Sequence, residues 1–387
     1  MPVINRIAEF TDEVIEWRHD LHRHPELDYD VHRTSGIVAE KLKQFGCDEV
    51  VTGIGRTGVV GLIKGRHASD RVIGLRADMD ALPIHEASGK PHASTTPGKM
   101  HACGHDGHTA MLLGAAKYLT ETRNFSGTVA VIFQPAEEGG GGGKAMIDDG
   151  MMTRFNIAEV YGMHNLPGMP VGQFGVRPGP IMAAADKFDI RIDGRGSHAA
   201  MPHMAVDPVM IGSQLVTSLQ SIVARNVDPL ESAVLSVTTF HAGDAFNVIP
   251  QSALLRGTVR SFNPDIRDLV EERMRQMISS FGAMHGASIA FEYRRGYPVT
   301  RNHARETEFA TSVAREIAGE AKVDTQLAPM MGAEDFSYML DERPGCFIFI
   351  GNGKTAGLHH PAYDFDDAVI PFGVSYWSRL VETRLPV

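Results

Sequence analysis

Apolar side chains open the chain at three- and four-residue steps: Ile4, Ile7, Phe10, Val14, Trp17 and Leu21. That spacing predicts one amphipathic helix running to about His24, which Pro25 ends because proline has no N–H to continue the ladder. A second helix is expected from Thr34 to Phe45, with Gly46 as its C-cap. The rhythm then changes. RVIGLRA (Arg71–Ala77), TVAVIF (Thr128–Phe133) and Glu159–Met163 read as strands, and Gly107–Leu119 and Lys144–Gly150 as helices with their stops. Short apolar runs alternating with helices predict an α/β fold on a largely parallel sheet.

From about Ala185 the pattern shifts again. Phe188, Ile190 and Ile192 alternate within Lys187–Ile192, and Val206–Arg225 is amphipathic. Ala233–Phe240 and Ala253–Ser261 read as strands, Pro264–Phe281 as a helix, and Ser288–Tyr293 alternates once more. The order β-α-β-β-α-β is that of a ferredoxin-like α+β unit. Helix and strand patterns resume at Glu306–Ala318 and Cys346–Ile350. The chain is therefore expected to hold one discontinuous α/β domain, 1–185 and 296–387, with a smaller domain inserted at 186–295.

Composition narrows the function classes. A formal net charge of −10 and the lack of any Lys/Arg-rich run argue against a nucleic-acid partner. The cysteines are three and far apart, Cys47, Cys103 and Cys346, so no disulfide framework is expected and a reducing compartment is favoured. The opening residues show no apolar signal-peptide core, and no apolar run approaches the roughly 20 residues of a membrane span. A cytoplasmic protein with no membrane partner is the expectation.

Polar clusters follow the predicted strands: Asp78-Met79-Asp80, then Gln134-Pro135-Ala136-Glu137-Glu138, then His164-Asn165, and His359-His360 after the strand ending at Ile350. A fifth, His101-Ala102-Cys103-Gly104-His105-Asp106, precedes the Gly107 helix in what reads as a loop. In an open parallel sheet the strand C-termini share one edge, where ligands bind. Taken singly, each cluster reads as a turn, a cap or a solvated pair; together on one edge they point to chemistry. Cysteine, histidine and carboxylate suit Zn²⁺, Mn²⁺, Co²⁺ or Ni²⁺. Two such ions roughly 3.5–4 Å apart clamp a water and a scissile carbonyl, and a nearby base must take the proton. Adjacent glutamates can divide that labour, one on the metal and its neighbour on the water. The run Gly139–Gly143 is either a flexible loop or a close backbone approach.

These motifs are together familiar. RADMDALP (Arg76–Pro83), GKMHACGHDGHTAMLLGAA (Gly98–Ala116), FQPAEEGGGGGKAMIDDG (Phe133–Gly150), GMHN (Gly162–Asn165), GRGSHAAMPH (Gly194–His203), NVIP (Asn247–Pro250), MGAEDF (Met331–Phe336) and LHHPAYDFDD (Leu358–Asp367) span nearly the whole chain. It resembles the aminoacylase and carboxypeptidase family of dinuclear metallopeptidases, in its hippurate hydrolase and indoleacetyl-amino-acid hydrolase branch. The resemblance implies two divalent ions per subunit. Cys103 would bridge them, His105 and His164 would complete one site, and Glu138 and His359 the other. His359 is preferred to His360 because the family ligand lies two residues before the proline. Glu137 would be the general base and then the acid. His198 would stabilise the oxyanion in the active site of a partner subunit. Asp78 stands where many relatives have a ligand histidine; in this branch His105 takes over, leaving Asp78 and Asp80 to orient ligands. The remaining histidines, among them His22, His24 and His32, read as surface groups. The resemblance also implies a homodimer through the inserted lid, or a tetramer of such dimers.

The implied substrate is a small N-acyl amino acid, benzoylglycine-like first, cut at its amide. Its carboxylate needs a donor, for which Arg260 and Asn247 are candidates. Met182, Phe246 and Met330 could line an acyl pocket. A dipeptidase or carboxypeptidase would use the same site. A non-catalytic metal binder would have no use for Glu137, and a thiol enzyme would use Cys103 as nucleophile and survive chelation.

Overall fold

The computed structural model describes residues 3–387 and divides them into two compact units. The first comprises the chain through Ile181, Arg301–Ala328 and Asp335–Val387. It opens with two helices rather than one, α1 (Asn5–Glu9) and α2 (Thr11–Arg23), which meet at Phe10. Apolar periodicity runs unbroken across the join because Phe10 stays buried. Helix α3 (His32–Phe45) ends at Gly46 with φ 86°, the left-handed C-cap that glycine adopts without a Cβ clash.

Strands β1 (Glu49–Ile54) and β2 (Gly58–Lys64), absent from the expectation, form an antiparallel pair. Strand β3 (His67–Asp78) leads to helix α4 (His105–Thr122), and β4 (Ser126–Gln134) and β5 (Glu159–Leu166) follow. Among the described residues they join an eight-stranded sheet in the order β1-β2-β4-β3-β5, then Gly345–Gly351, Phe174–Gly175 and Val323–Asp324. Its centre, β4-β3-β5 and Gly345–Gly351, is parallel, while β1, β2 and Phe174–Gly175 run antiparallel to their inner neighbours. The sheet is thus parallel at its heart and mixed at its flanks. Helices α2, α3 and Ile370–Arg384 pack on α4, which is buried along most of its length. Coverage of both faces explains why TVAVIF is uniformly apolar rather than alternating. No helix among the described residues is long and apolar enough to cross a membrane.

The second unit comprises Met182–Thr300 and Pro329–Glu334. It is longer at both ends than the expected 186–295 and recruits a segment expected in the α/β domain. The recruitment has a local cause: Ala183 N–H donates to Met330 O at 3.1 Å and to Gly332 O at 2.9 Å. Its antiparallel sheet follows the order Ala233–Ala242, Ser252–Ser261, Ala184–Asp193, Ser288–Arg295. Helix Pro208–Asn226 is capped by Asp207, whose carboxylate accepts Val209 N–H at 2.8 Å. Asn263 does the same for Pro264–His285, accepting Asp265 N–H at 2.9 Å. Both helices carry proline at N1, where no N–H is required. Phe188, Ile190 and Ile192 all face the core.

Gly257 pairs across the sheet with Phe188, and the strand opposite bulges between Val237 and Thr239. A methyl group on Gly257 would lie 2.1 Å from Ser236 O and 2.3 Å from Phe188 Cζ. Gly257→Ala is therefore expected to destabilise this unit by about 1–3 kcal/mol, the usual cost of overpacking. Chemical denaturation checks this, and an unchanged midpoint would contradict it.

Candidate metal centre

The parallel strands deliver their polar ends to one edge of the first unit. Asp78 ends β3 and Asp80 lies two residues on; Gln134 ends β4 and Glu137-Glu138 follow. His164 and Asn165 lie inside the C-terminal end of β5 rather than after it. His105 and Asp106 form the first turn of α4, not a loop. Gly104, just before that helix, has φ 95°, and a Cβ there would sit 2.4 Å from Asn165 Oδ1 and 2.6 Å from Tyr363 Oη. Only glycine fits. His359 itself has φ 64°, and its N–H donates to Ala102 O at 2.8 Å, tying its loop to the segment before Cys103.

The donor atoms of Cys103, His105 and His164 lie within 4.8 Å of one another, and so do those of Cys103, Glu138 and His359. Cys103 belongs to both groups. Its Sγ is 3.4 Å from His164 Nε2, and Glu138 Oε1 is 3.3 Å from His359 Nε2 and 3.9 Å from His105 Nε2. A third such group, His105, Glu137 and Glu138, puts the spare glutamate beside the ligand set. Each buried histidine is oriented from behind. His105 Nδ1 donates to Asp80 O at 2.8 Å and His164 Nδ1 to Asn165 O at 2.7 Å, leaving both Nε2 atoms turned inward. Asp80 accepts the N–H of Glu137 at 2.9 Å and that of Glu138 at 3.1 Å, clamping both glutamates through their backbones.

Asp78, His105 and His108 also cluster, but Asp78 is already spent. It contacts His108 Nδ1 at 2.7 Å and accepts from Arg76 at 2.8 Å. Arg76 in turn donates to Gln134 and Asp335, each at 2.9 Å, so Asp78 sits in a hydrogen-bonded wall behind the donors.

The electrostatics call for a cation. Burial, with the charges of Glu138, Glu137 and Asp78, drives the Cys103 thiol well above its usual range. Burial, with neighbouring His108, holds His164 well below 6.5 and hence neutral, the form that ligates metals. His105 is the reverse. Burial would lower it, but Asp78, Asp80 and Glu138 raise it to about 10, so a proton fills the negative field where an ion would sit. Glu138 stays below its usual range despite burial, held by His359 and His105. Buried atoms His105 Nε2 and Glu138 Oε1 have no hydrogen-bond partner. A divalent ion would satisfy both and ionise the thiol, so the donor set fits such an ion.

The other expected residues lie in the second unit. His198 is exposed, pairs with Val248, and accepts Ala200 N–H on Nδ1 at 3.1 Å. Asn247 lies beside it, its carbonyl accepting Ala199 N–H at 3.0 Å. Arg260 turns onto its own strand, donating to Thr258 Oγ1 and to Val259 O. Met182 bridges to Met330, whereas Phe246 is fully exposed.

The surface reading of His22 is wrong. It is buried, with Nδ1 2.8 Å from Asp106 and Nε2 3.2 Å from Glu86. Both partners are far away in sequence, which is why spacing gave no signal. His24 is half-buried and His32 exposed. Arg18, also buried, lies 3.3 Å from Asp106 and 3.5 Å from Asp364, and was missed for the same reason. His108, Asn165 and Tyr363 were missed as well, although all three stand within the quoted motifs.

The family described as Peptidase family M20/M25/M40 matches residues 74–383. The chain is 42% identical to a hippurate hydrolase of Campylobacter jejuni over 380 residues, 98% of each chain. It is 39% identical to thermostable carboxypeptidase 2 of Saccharolobus solfataricus over 379 residues, 95% of this chain and 94% of the other. A crystal structure of a dinuclear metal-binding M20 peptidase from Bacillus subtilis superposes with a TM-score of 0.85 at 34% identity, covering 98% of this chain and 99% of that one.

His22 gives a pH prediction. Burial lowers it, but Asp106 and Glu86 outweigh burial and raise it to about 9, against an ordinary 6.5. The folded state therefore binds this proton more tightly than the unfolded chain. The stabilisation is complete below about pH 6.5 and is lost as pH rises through about 9. His22→Gln should melt below wild type at pH 6, and the gap should close by pH 9.5, read by thermal melts across pH ~6–10. A gap constant with pH would refute the charged pairing.

Proposed function

We propose that this chain, which belongs to peptidase family M20/M25/M40, is a metal-dependent amidohydrolase that cleaves the amide bond of small N-acyl amino acids. One observation carries the reading: a single cysteine shared by two donor groups, with an extra glutamate beside them. In this reading Cys103, His105 and His164 would hold one ion, and Cys103, Glu138 and His359 the other. Two divalent ions bound there, of Zn, Mn, Co or Ni, would supply Lewis acidity toward the amide carbonyl and make a water acidic enough to attack.

The chain's own residues do the rest. Glu137 takes the proton from the attacking water and carries it to the leaving amine nitrogen as the C–N bond breaks. Asp80 fixes Glu137 and Glu138 through their amides, so base and ligand hold a constant offset. Asp80 O and Asn165 O fix the tautomers of His105 and His164. The second unit serves as lid and dimerisation surface, with exposed His198 reaching a partner's centre to stabilise the oxyanion, and Asn247 and Arg260 candidates for the substrate carboxylate. Three cysteines without a disulfide suit a cytoplasmic location.

Benzoylglycine is the leading substrate, supported by the likeness to a hippurate hydrolase. Peptide cleavage from a carboxyl terminus is the second reading, supported by the likeness to a carboxypeptidase. Relative turnover of benzoylglycine and of free dipeptides decides between them.

Chelation should abolish hydrolysis, and re-addition of Zn²⁺, Mn²⁺, Co²⁺ or Ni²⁺ should restore it. Glu137→Gln should keep its metal content while losing roughly 10²–10⁴-fold in kcat, the usual contribution of a general base. Cys103→Ala should lose metal and activity together. Full activity in Glu137→Gln, or activity surviving chelation but not alkylation, would overturn the reading.

A further inference from the structure

The segment between α2 and α3, which carries no ligand, touches both sides of the centre. Glu26 anchors it: its carboxylate accepts the N–H groups of Arg33 at 2.9 Å and Thr34 at 2.8 Å, capping α3, and its carbonyl accepts Ala81 N–H at 2.8 Å. The last bond fixes the chain one residue after Asp80. Two residues on, Asp28 O accepts Ala136 N–H at 3.0 Å, one residue before Glu137. Both Asp28 and Ala136 are in the left-handed region, with φ 49° and 53°, a conformation costly for side chains other than glycine's. Such a turn persists only if its surroundings hold it.

Tyr29 adds a further hold. Its hydroxyl donates to Gly140 O at 2.7 Å, and burial, with Asp335, Asp28 and Asp80 nearby, raises it above its usual range. Its carbonyl accepts from Thr57 Oγ1 at 2.8 Å, and the Arg56 guanidinium stacks 4.1 Å from its ring centre. The glycines opposite are tightly fitted. A Cβ on Gly140 would lie 2.7 Å from Ala136 Cβ and 3.1 Å from Tyr29 Cε2, and one on Gly142 would lie 1.7 Å from Pro135 O. At Gly140 and Gly142 the glycine run is thus a close backbone approach, and Tyr29 packs against Gly140. Within it, Gly139 N–H donates to Glu137 O at 2.6 Å and Gly142 N–H to Ala136 O at 3.1 Å, so the turn bearing Glu137 and Glu138 folds back on itself.

We propose that Tyr29 is a positioning residue for amide hydrolysis: through Gly140 it holds the Ala136–Gly142 turn in the strained conformation that aims Glu137. This rests on the assignment of Glu137 as base. Tyr29 is not one of the donor residues, so its effect belongs in the chemical step and not in metal or substrate affinity.

Tyr29→Phe keeps the ring and the Arg56 stack and deletes one O–H···O=C bond. It should lower kcat roughly 3- to 10-fold, the worth of one hydrogen bond, with KM for benzoylglycine and metal content unchanged. Amide hydrogen exchange at Gly139 and Gly142 should quicken by a similar factor, and Tyr29→Ala should enlarge both effects. Wild-type kcat in Tyr29→Phe, with or without faster exchange, would overturn the proposal, as would a raised KM at unchanged kcat. The exchange measurement needs no turnover. If the wild-type protein cleaved no N-acyl amino acid, the function would fall, and unchanged exchange in Tyr29→Phe would separately remove the brace.

Discussion

Everything at the sheet edge answers to one constraint: several acidic groups and a thiol are gathered where water is largely excluded. Like charges in such a place repel strongly and lose hydration, so the arrangement survives only with compensating positive charge. The protein supplies part of it. Arg76 braces Asp78 from behind, and His105 takes up a proton. The rest of the field stays open toward Cys103, His105 and Glu138. The backbone adds precision without charge: Asp80 holds two consecutive amides, and two carbonyls lock two imidazoles.

A second layer lies behind the first. Asp106 is next to His105 in sequence, yet its carboxylate turns away from the donors toward His22 and Arg18. Burial would raise Asp106, but His22, His101 and Arg18 pull it far below the usual carboxylate range. The first turn of α4 is thus fixed on both sides, by the Asp80 carbonyl in front and a buried ion cluster behind. Histidine geometry within 1 Å of its place matters more for ligation than for stability, and a rigid helix turn gives that precision better than a loop.

Much of this was legible in the chain. The strands of the parallel core are short apolar runs ending in polar motifs, and each motif reached the same edge because parallel strands end together. The inserted unit was legible from alternation at Phe188, Ile190 and Ile192 and from the proline-led helices. What stayed hidden had physical reasons. Helices α1 and α2 share one apolar stripe, so periodicity could not reveal the break at Phe10. Strands β1 and β2 are rich in glycine and pair locally at an edge, away from the rhythm of the parallel core. The partners of His22 and Asp335 lie far along the chain, and no local pattern encodes a contact of that kind. In the brace at Glu26–Tyr29 the Tyr29 hydroxyl meets the Gly140 carbonyl and the Glu26 and Asp28 carbonyls meet backbone amides, and backbone carbonyls, present in every residue, leave no pattern in the sequence.

The order of the segments has a consequence for biogenesis. As the polypeptide emerges from the ribosome, β1 to β5 and four of the five proposed ligands appear before the second unit begins. The strand Gly345–Gly351 and His359 come only near the end. Until then β5 presents an unpaired edge and the donor cluster lacks its last imidazole. The ferredoxin-like unit is built mainly from the continuous stretch Met182–Thr300 and needs besides only Pro329–Glu334, so it is free to mature before Gly345–Gly351 appears. Nascent chains paused short of residue 345 would therefore expose a bare strand to aggregation, and full cation capture would wait until His359 has emerged.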